Sequence, residues 1–248
     1  MKRLDFTFLV LIFSVVGAAA QVQKVQNKPY IDLRPFHFGI LIGTHLQDIE
    51  LQNVCSQLIT GDDGKVTETV INTDQDRWDA GFTVGVAGEL RLSTHFQLRI
   101  APAMYFGSRH ITFRNSTVTD AEGRPTERHQ DLKTVYLSTA TELIFAAPRF
   151  NNHRPYLLAG FNPMLNLSGK HNDYLRLKRY DVYFEVGIGC DLYLPFFKLR
   201  PELKFLFSPL NSLDKGHGKR MKDKNMLPYT LSVKEAHTKM IVLTFYFE

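Results

Sequence analysis

Charged side chains recur at alternate positions within otherwise apolar stretches of this sequence, and their spacing is its first indication of chemistry. Residues two apart share one face of a β-strand, so these charges would converge on one side of a sheet. Their signs are nearly balanced, which suits either a structural ion-pair network or a relay for protons or ions. The set comprises Glu89, Arg91, Arg99, Glu142, Glu185, Asp191, Arg200, Glu202 and Lys204.

Residue patterns typical of catalysis or cofactor binding are missing from the sequence. It has no carboxylate pair or glycine-rich loop that would mark a reaction, and Cys55 and Cys190 do not have the spacing of a metal site. His37 and His45 have no serine two residues away, and histidines without a nucleophile are more often structural. We therefore expect no enzyme activity, no cofactor, no metal, no small-molecule substrate and no binding to nucleic acid.

The N-terminus has the layout of a secretory signal. Lys2 and Arg3 give a basic start, positions 6–16 are apolar apart from one threonine and one serine, and positions 17–20 are small. The apolar run is shorter than the roughly 20 residues of a membrane-spanning helix. We expect cleavage between Ala20 and Gln21, so that 1–20 is a signal peptide, 21–34 a periplasmic lead-in and 35–248 the folded domain.

Eight segments alternate apolar and polar residues with a period of two, which is the pattern of β-strands. Helical periodicity extends over no more than a turn or two. Cys55 falls in a long connection and Cys190 within a segment, so both are expected to remain unpaired. The segments are residues 35–46, 78–92, 96–113, 131–145, 154–165, 179–194, 197–208 and 237–248.

The connections between these segments alternate in length. The turns at 93–95, 148–153 and 195–196 are short, whereas the connections at 47–77, 114–130, 166–178 and 209–236 are long. Short periplasmic turns and long extracellular loops are typical of outer-membrane barrels. The sequence therefore predicts an all-β fold, an eight-stranded antiparallel up-and-down transmembrane β-barrel in the cell outer membrane.

The residue types on the two faces of each segment indicate whether the apolar face points to lipid or to the interior of the barrel. One face is large and apolar, and the other mixes charge with glycine and alanine. A soluble, lipocalin-like barrel would enclose the apolar face, whereas a membrane barrel would turn it to lipid. The interior of an eight-stranded barrel is only just filled by side chains, so long inward side chains need small neighbours such as Gly187 and Gly189. This favours the membrane orientation.

Three prolines oppose the barrel model. Pro102, Pro163 and Pro201 lie within segments and on the lipid side, yet a proline cannot donate a hydrogen bond to the ladder. β-Bulges would accommodate them.

The membrane orientation points the nine charged residues into the lumen. Burying them unpaired would be costly, so we expect ion pairs that hold the barrel shut. A narrow lumen with balanced charge favours this network over a relay and argues against an open diffusion pore.

A basic stretch lies in the last long connection. On an extracellular loop it would meet lipopolysaccharide phosphates or a partner, although a solvated loop explains the composition as well and carries more weight. Its residues are Lys215, Lys219, Arg220, Lys222 and Lys224.

The run from Tyr183 to Phe205 is more specific than a barrel requires, and it resembles the PorT family, as does the ending from Thr244 to Glu248. Members of that family are outer-membrane barrels of Bacteroidetes required for the type IX secretion system. This system exports proteins that carry a C-terminal sorting domain and in some species supports gliding motility. The resemblance implies a non-enzymatic secretion component with other secretion-system proteins as partners. The alternatives are a general small barrel for adhesion or envelope integrity and, less favoured, a lipid A-modifying enzyme.

Overall fold

The computed structural model describes residues 27–54, 56–60, 66–119, 121–168, 173–220 and 224–248. The predicted signal peptide with its Ala20–Gln21 cleavage site, Cys55 and Lys222 lie outside the described residues. The described strands are β1 (Phe36–Asn53), β2 (Gln57–Thr60), β3 (Val66–Thr69), β4 (Ile71–Arg77), β5 (Ala80–Arg91), β6 (Phe96–Thr119), β7 (Pro125–Ala146), β8 (His153–Asn166), β9 (Tyr180–Tyr193), β10 (Lys198–Phe207) and β11 (Val233–Phe247).

Eight of the described strands close into a barrel. Their order around the ring is β6, β5, β1, β11, β10, β9, β8 and β7, and β7 pairs with β6 to complete the circle. Every neighbouring pair is antiparallel, including the first and last strands of the chain. The predicted eight-stranded antiparallel barrel is therefore confirmed, and each predicted segment coincides with one barrel strand.

The described helical segments are short. They are two 3₁₀ turns, Ile31–Leu33 and Lys224–Met226, and two helices, α1 (His217–Arg220) and α2 (Leu227–Leu231). None of the helices in the described part of the chain has the length and hydropathy of a membrane-spanning helix.

Two of the four predicted long loops are wrong. Residues 114–119 and 125–130 continue β6 and β7 as a paired hairpin, and 47–77 holds the end of β1 together with β2, β3 and β4. β4 pairs with β6 beyond the start of β5 and so extends the barrel wall. The outward residues of these extensions are mostly polar, so the extensions lack the apolar alternation that identifies the other strands.

Apolar side chains cover the outside of the barrel in a continuous belt. Phe38 on β1 is 76% exposed, whereas the adjacent His37 points inward and is 6% exposed. Aromatic rings gather at the short-turn edge of the belt, where Phe96 lies 5.2 Å from Phe145 between ring centroids. This is the surface that a membrane barrel presents to hydrocarbon, with an aromatic girdle at the interface.

The interior differs along the barrel axis. Within the belt it contains buried charged and hydroxyl-bearing side chains together with an apolar cluster that includes Leu41, Met164 and Leu206, whereas beyond the belt it contains a second apolar cluster. We call this upper part, built from β4 and residues 47–53, 107–119, 125–134 and 233–240, the extracellular extension. Water rather than lipid surrounds it, so its apolar groups lie inside. The second cluster is Ile49, Ile71, Ile111, Phe113, Leu132, Leu175, Leu177, Leu213, Val233 and Ala236.

Three prolines inside strands, Pro102, Pro163 and Pro201, are accommodated without β-bulges. No register shift occurs at Pro102, Pro163 or Pro201. Instead, the ladder skips two residue pairs on one side of each proline, between β5 and β6, β7 and β8, and β9 and β10 respectively. Pairing continues on the other side. The wall therefore stays closed although each proline lacks an N–H donor.

Gly189 provides a test of the inward orientation. A Cβ atom at this inward glycine would overlap the ring of Tyr156, whose hydroxyl donates a 2.5 Å hydrogen bond to Glu202. We expect Gly189→Val to lower the free energy of unfolding by about 1–3 kcal/mol through overpacking. Gly88→Val is the matched control, because its Cβ would meet only Phe38 on the lipid side, at 3.6 Å.

The measurement is urea-induced unfolding of the barrel in detergent micelles. Gly88→Val should leave the stability unchanged or slightly raised, since valine favours strands. If both valines cost the same, the assignment of the two faces is wrong.

Candidate functional site

Neighbouring strands bring the luminal charges together through their register. Glu89 on β5 lies opposite Arg99 on β6, which lies opposite Glu142 on β7. β9 contributes Glu185 and Asp191, and β10 contributes Arg200, Glu202 and Lys204, while Arg91 is the last residue of β5. Alternation alone aims all of them inward, and the register sets their height along the barrel axis.

Arg99 is the centre of the network. Its guanidinium is fully buried and contacts three carboxylates, with Nε 3.1 Å from Glu89 Oε2, Nη1 3.0 Å from Glu142 Oε2 and Nη1 2.5 Å from Glu202 Oε1. Its planar group also lies over the ring of Tyr246, 4.4 Å from the centroid. A planar donor fork suits this position, because it reaches several acceptors while stacking on an aromatic face.

Two further cations from β10 extend the network in both directions. Arg200 lies 2.6 Å from Glu89 through Nη1 and 2.6 Å from Asp191 through Nε. Lys204 pairs with Glu142 and with Glu202, whose Oε2 is 3.3 Å from Nζ. The carboxylates of Glu89, Glu142 and Glu202 are therefore each shared between two cations.

Two of the nine predicted residues do not join these ion pairs. Glu185 is buried beside the network, but neither of its carboxylate oxygens has a hydrogen-bond partner. Arg91 is a correction to the sequence prediction: it lies at the end of β5, where its guanidinium donates to the backbone carbonyls of Leu33 and Ser93. Its parity along the strand is inward, but at the rim of the barrel it reaches the turns instead of the lumen.

Sequence reasoning missed charged residues at the periplasmic end of the network. Lys198 Nζ lies 2.5 Å from the Glu248 carboxylate, which also pairs with His37 and lies 3.7 Å from Arg200. Lys198 has the same parity as Arg200, and His37 is an inward position of β1, so the alternation contained the signal. The C-terminal residue thus closes the network instead of extending into solvent.

Residues 27–34, the described part of the N-terminal lead-in, lie across this end of the lumen. Tyr193 donates a 2.6 Å hydrogen bond to Asp32, and Arg154 Nη1 lies 3.8 Å from the same carboxylate. The guanidinium of Arg149 stacks over Tyr193 at 3.5 Å from the ring centroid. These contacts attach residues 27–34 to the turn between β7 and β8 and to the inner wall.

The network packs closely inside the barrel. The cavity between Arg99, Glu89 and Glu248 has a volume of about 10 Å³, which is about the room that one water molecule needs. The described side chains around this cavity therefore leave space for about one water molecule, which suits mechanical closure of the barrel.

A second polar cavity lies at the extracellular end. It has a volume of about 370 Å³ and contains three arginines, Arg176, Arg179 and Arg220, together with Asp214. Arg220 comes from the predicted basic stretch and is ion-paired with Asp214. The structure therefore brings Arg220 of that stretch close to a second basic group, Arg176 and Arg179. Arg179 precedes Arg220 by 41 residues in the sequence.

Lys215, Lys219 and Lys224 are the other members of the basic stretch that fall within the described residues. Lys215 is exposed, with Nζ 3.8 Å from Glu235 Oε1. Lys219 lies on α1 and Lys224 at the start of the second 3₁₀ turn.

A closed antiparallel barrel with an apolar belt outside and paired charges inside defines the class of outer-membrane β-barrels. The chain belongs to the family described as outer membrane protein beta-barrel domain, whose model matches residues 19–215. The family places the protein in the outer membrane.

Two solved structures are similar to the chain at low sequence identity. The outer membrane protein OprG from Pseudomonas aeruginosa is 12% identical with a TM-score of 0.46, and the match covers 92% of this chain and 97% of OprG. Neisserial surface protein A (NspA) is 10% identical with a TM-score of 0.40, covering 86% of this chain and 98% of NspA. No curated protein sequence matches the chain.

Removing the central cation tests the network. Arg99→Met would leave three buried carboxylates without their shared partner, so we expect it to lower the free energy of unfolding by about 3–5 kcal/mol. Arg91→Gln is the matched arginine control and should cost only about 1 kcal/mol, the contribution of an ordinary hydrogen bond.

Glu185→Gln completes the comparison. It removes a carboxylate that accepts no hydrogen bond, so its cost should stay below about 1 kcal/mol. Urea unfolding of the refolded barrel measures all three variants. Equal losses for Arg99→Met and Arg91→Gln would contradict the central role of Arg99.

Proposed function

We propose that this barrel is a non-enzymatic component of a type IX secretion system, as its resemblance to the PorT family implies. The two stretches that carry the resemblance fall in β9–β10 and at the end of β11, and these three strands are consecutive neighbours in the barrel. They form one continuous wall. This supports the proposal, because residues that contribute to one partner surface or to one luminal network would lie on neighbouring strands. The proposal includes export by a signal peptide that is cleaved before Gln21.

The close packing of the luminal charges supports a role through contacts instead of conduction. The cavity between Arg99, Glu89 and Glu248 holds about one water molecule, far less than an exported folded protein would need. The surfaces left for function are the periplasmic turns with the lead-in, the lipid-facing wall and the extracellular extension. Other secretion-system proteins would bind there.

Gene deletion followed by an inventory of secreted proteins tests this function. We expect proteins with C-terminal sorting domains to disappear from the culture medium and to accumulate in the cell, and a plasmid copy of the gene should restore their export. Arg91→Gln provides a complementing variant that keeps the network. Unchanged secretion in the deletion strain would refute the proposal and favour a general envelope barrel, whereas a changed lipid A mass would indicate a lipid-modifying enzyme.

The arginine cavity supports a second candidate function, binding of lipopolysaccharide phosphates. Arg176, Arg179 and Arg220 line one cavity together with Asp214, the carboxylate among its described lining residues, and basic residues near an anionic surface contribute about 1 kcal/mol each. Such binding would suit a general barrel for envelope integrity as well as a secretion component.

Replacing Arg176 and Arg179 together by glutamine tests this binding. We expect the affinity of the purified barrel for lipopolysaccharide to fall about 30-fold, the equivalent of about 2 kcal/mol, and the loss to shrink at high salt. Arg128→Gln, an exposed arginine of the extracellular extension outside the cavity, is the control. An equal effect of the control would mean that only the overall charge matters.

A further inference from the structure

Two histidines and an aspartate meet on the outer face of the extracellular extension. His110 lies on β6, His129 on β7 and Asp76 on β4, and one potential ligand atom from each lies within 4.8 Å of those of the other two. The two imidazole rings are stacked, with centroids 5.4 Å apart and planes at 21°. The cluster belongs neither to the luminal network nor to the arginine cavity.

Strand register and one irregularity create the cluster. On β7, Asp131 lies opposite His110 and His129 lies opposite Thr112, so the histidines are diagonal neighbours. The ladder between β4 and β6 shifts register between Gln75 and Arg77, which leaves Asp76 out of the regular pairing. Such irregularities commonly re-aim a side chain, and here the carboxylate of Asp76 reaches the histidines.

Hydrogen bonds fix which nitrogen of each imidazole is available. His110 Nδ1 lies 2.6 Å from Asp131 Oδ1, and an ionised carboxylate only accepts, so Nδ1 is the donor. Nε2 of His110 is therefore left with its lone pair. This arrangement, a histidine that donates its other N–H to a carboxylate, is the usual support of a metal-binding histidine.

His129 is held in the same way through a hydroxyl. Its Nδ1 lies 2.7 Å from Thr112 Oγ1, and that hydroxyl donates its only proton to Asp76. His129 Nδ1 must then be the donor to Thr112, and its Nε2 is also left with a lone pair. Both tautomers are thus set for ligation through Nε2.

Neighbouring charges set the balance at the site. Arg114 Nη2 lies 3.3 Å from Asp76 Oδ1, and Arg114 Nε donates a 2.9 Å hydrogen bond to Glu127. The hydrogen bond to Glu127 raises the pKa of Arg114. Its charged guanidinium competes with a metal ion for the carboxylate of Asp76. Asp131 and Glu127 add two further negative charges around the cluster, so the surroundings still attract a cation.

We propose that His110, His129 and Asp76 form a surface site for a divalent transition metal of the zinc class. Two imidazoles and one carboxylate with an open fourth position are a common zinc ligand set. Zinc bonds of about 2.0–2.1 Å would bring the ligand atoms to about 3.3 Å from one another. Zinc binding would therefore require the exposed side chains of Asp76 and His129 to rotate toward His110, with Asp76 exchanging its contacts to Thr112 and Arg114 for the metal. The bound ion would clip β4 to the β6–β7 hairpin and so rigidify the extracellular extension.

Metal titration of the full chain tests the site. The purified barrel in detergent is freed of metal with a chelator and titrated with ZnCl₂ by calorimetry, and the bound zinc is counted by elemental analysis after dialysis. We expect one zinc ion per chain, retained in 1 mM MgCl₂ because Mg²⁺ prefers oxygen ligands and holds its water. His110→Gln and His129→Gln should each weaken binding at least tenfold.

Two further variants separate this site from other histidines. His237→Gln changes a histidine of β11 in the same extension but outside the cluster, and it should bind zinc like the wild type. Asp131→Asn should weaken binding about 10- to 100-fold, because it removes the support of a ligating histidine. Heat-dependent mobility on SDS gels verifies that each variant is a folded barrel.

Three results would overturn the proposal. They are no binding by the wild type at 100 µM ZnCl₂, wild-type affinity in both ligand variants, or an equal loss in His237→Gln. The first would leave a hydrogen-bonded surface cluster without a metal.

Discussion

The structure depends on where ionised groups can lie when hydrocarbon surrounds the wall. Lipid cannot solvate a charge, so the charged side chains of the belt region point inward, where all members of the network except Glu185 form ion pairs. Arg99 meets this requirement by sharing its guanidinium among Glu89, Glu142 and Glu202. Because a buried charge without its partner is costly, the eight strands are tied to one register. The network therefore specifies the barrel as much as it stabilises it.

The same constraint separates two zones of the interior along the axis. Where lipid lies outside, the interior holds the ion-pair network beside apolar residues such as Leu41 and Met164; where water lies outside, Ile111 and Phe113 turn inward and form an apolar core. β6 passes through both zones without a break, and its even-numbered residues face outward throughout. Inward and outward positions alternate along the whole of β6. Its large apolar residues face outward in the belt and inward in the extracellular extension. The wall prolines fit this account, since each lies in the belt and interrupts pairing on one side only.

Sequence reasoning succeeds where the two faces of a strand meet different solvents. The belt segments of all eight strands, the three short turns and the inward direction of Arg99 or Glu202 follow from alternation. The extension is missed because its strands have polar outer faces, so β4 and the outer parts of β6 and β7 resemble loops. Arg91 shows a different limit: parity gives the direction of a side chain but not its height. Parity predicts that Lys198 and Glu248 point inward. Their place in the network depends on their height along the barrel axis, which parity does not give.

Clusters of residues from different strands are harder to predict from the sequence. Asp76, His110 and His129 are separated by 34 and 19 residues, and only the register of three strands, with its irregularity at Asp76, brings them together. The arginine cavity likewise combines two loops. Both lie at the extracellular end of the barrel, whereas the ion pairs of the network lie in the lumen. A barrel whose luminal charges are closely packed offers its surfaces for recognition, and here the luminal ion pairs hold the wall on which those surfaces are built.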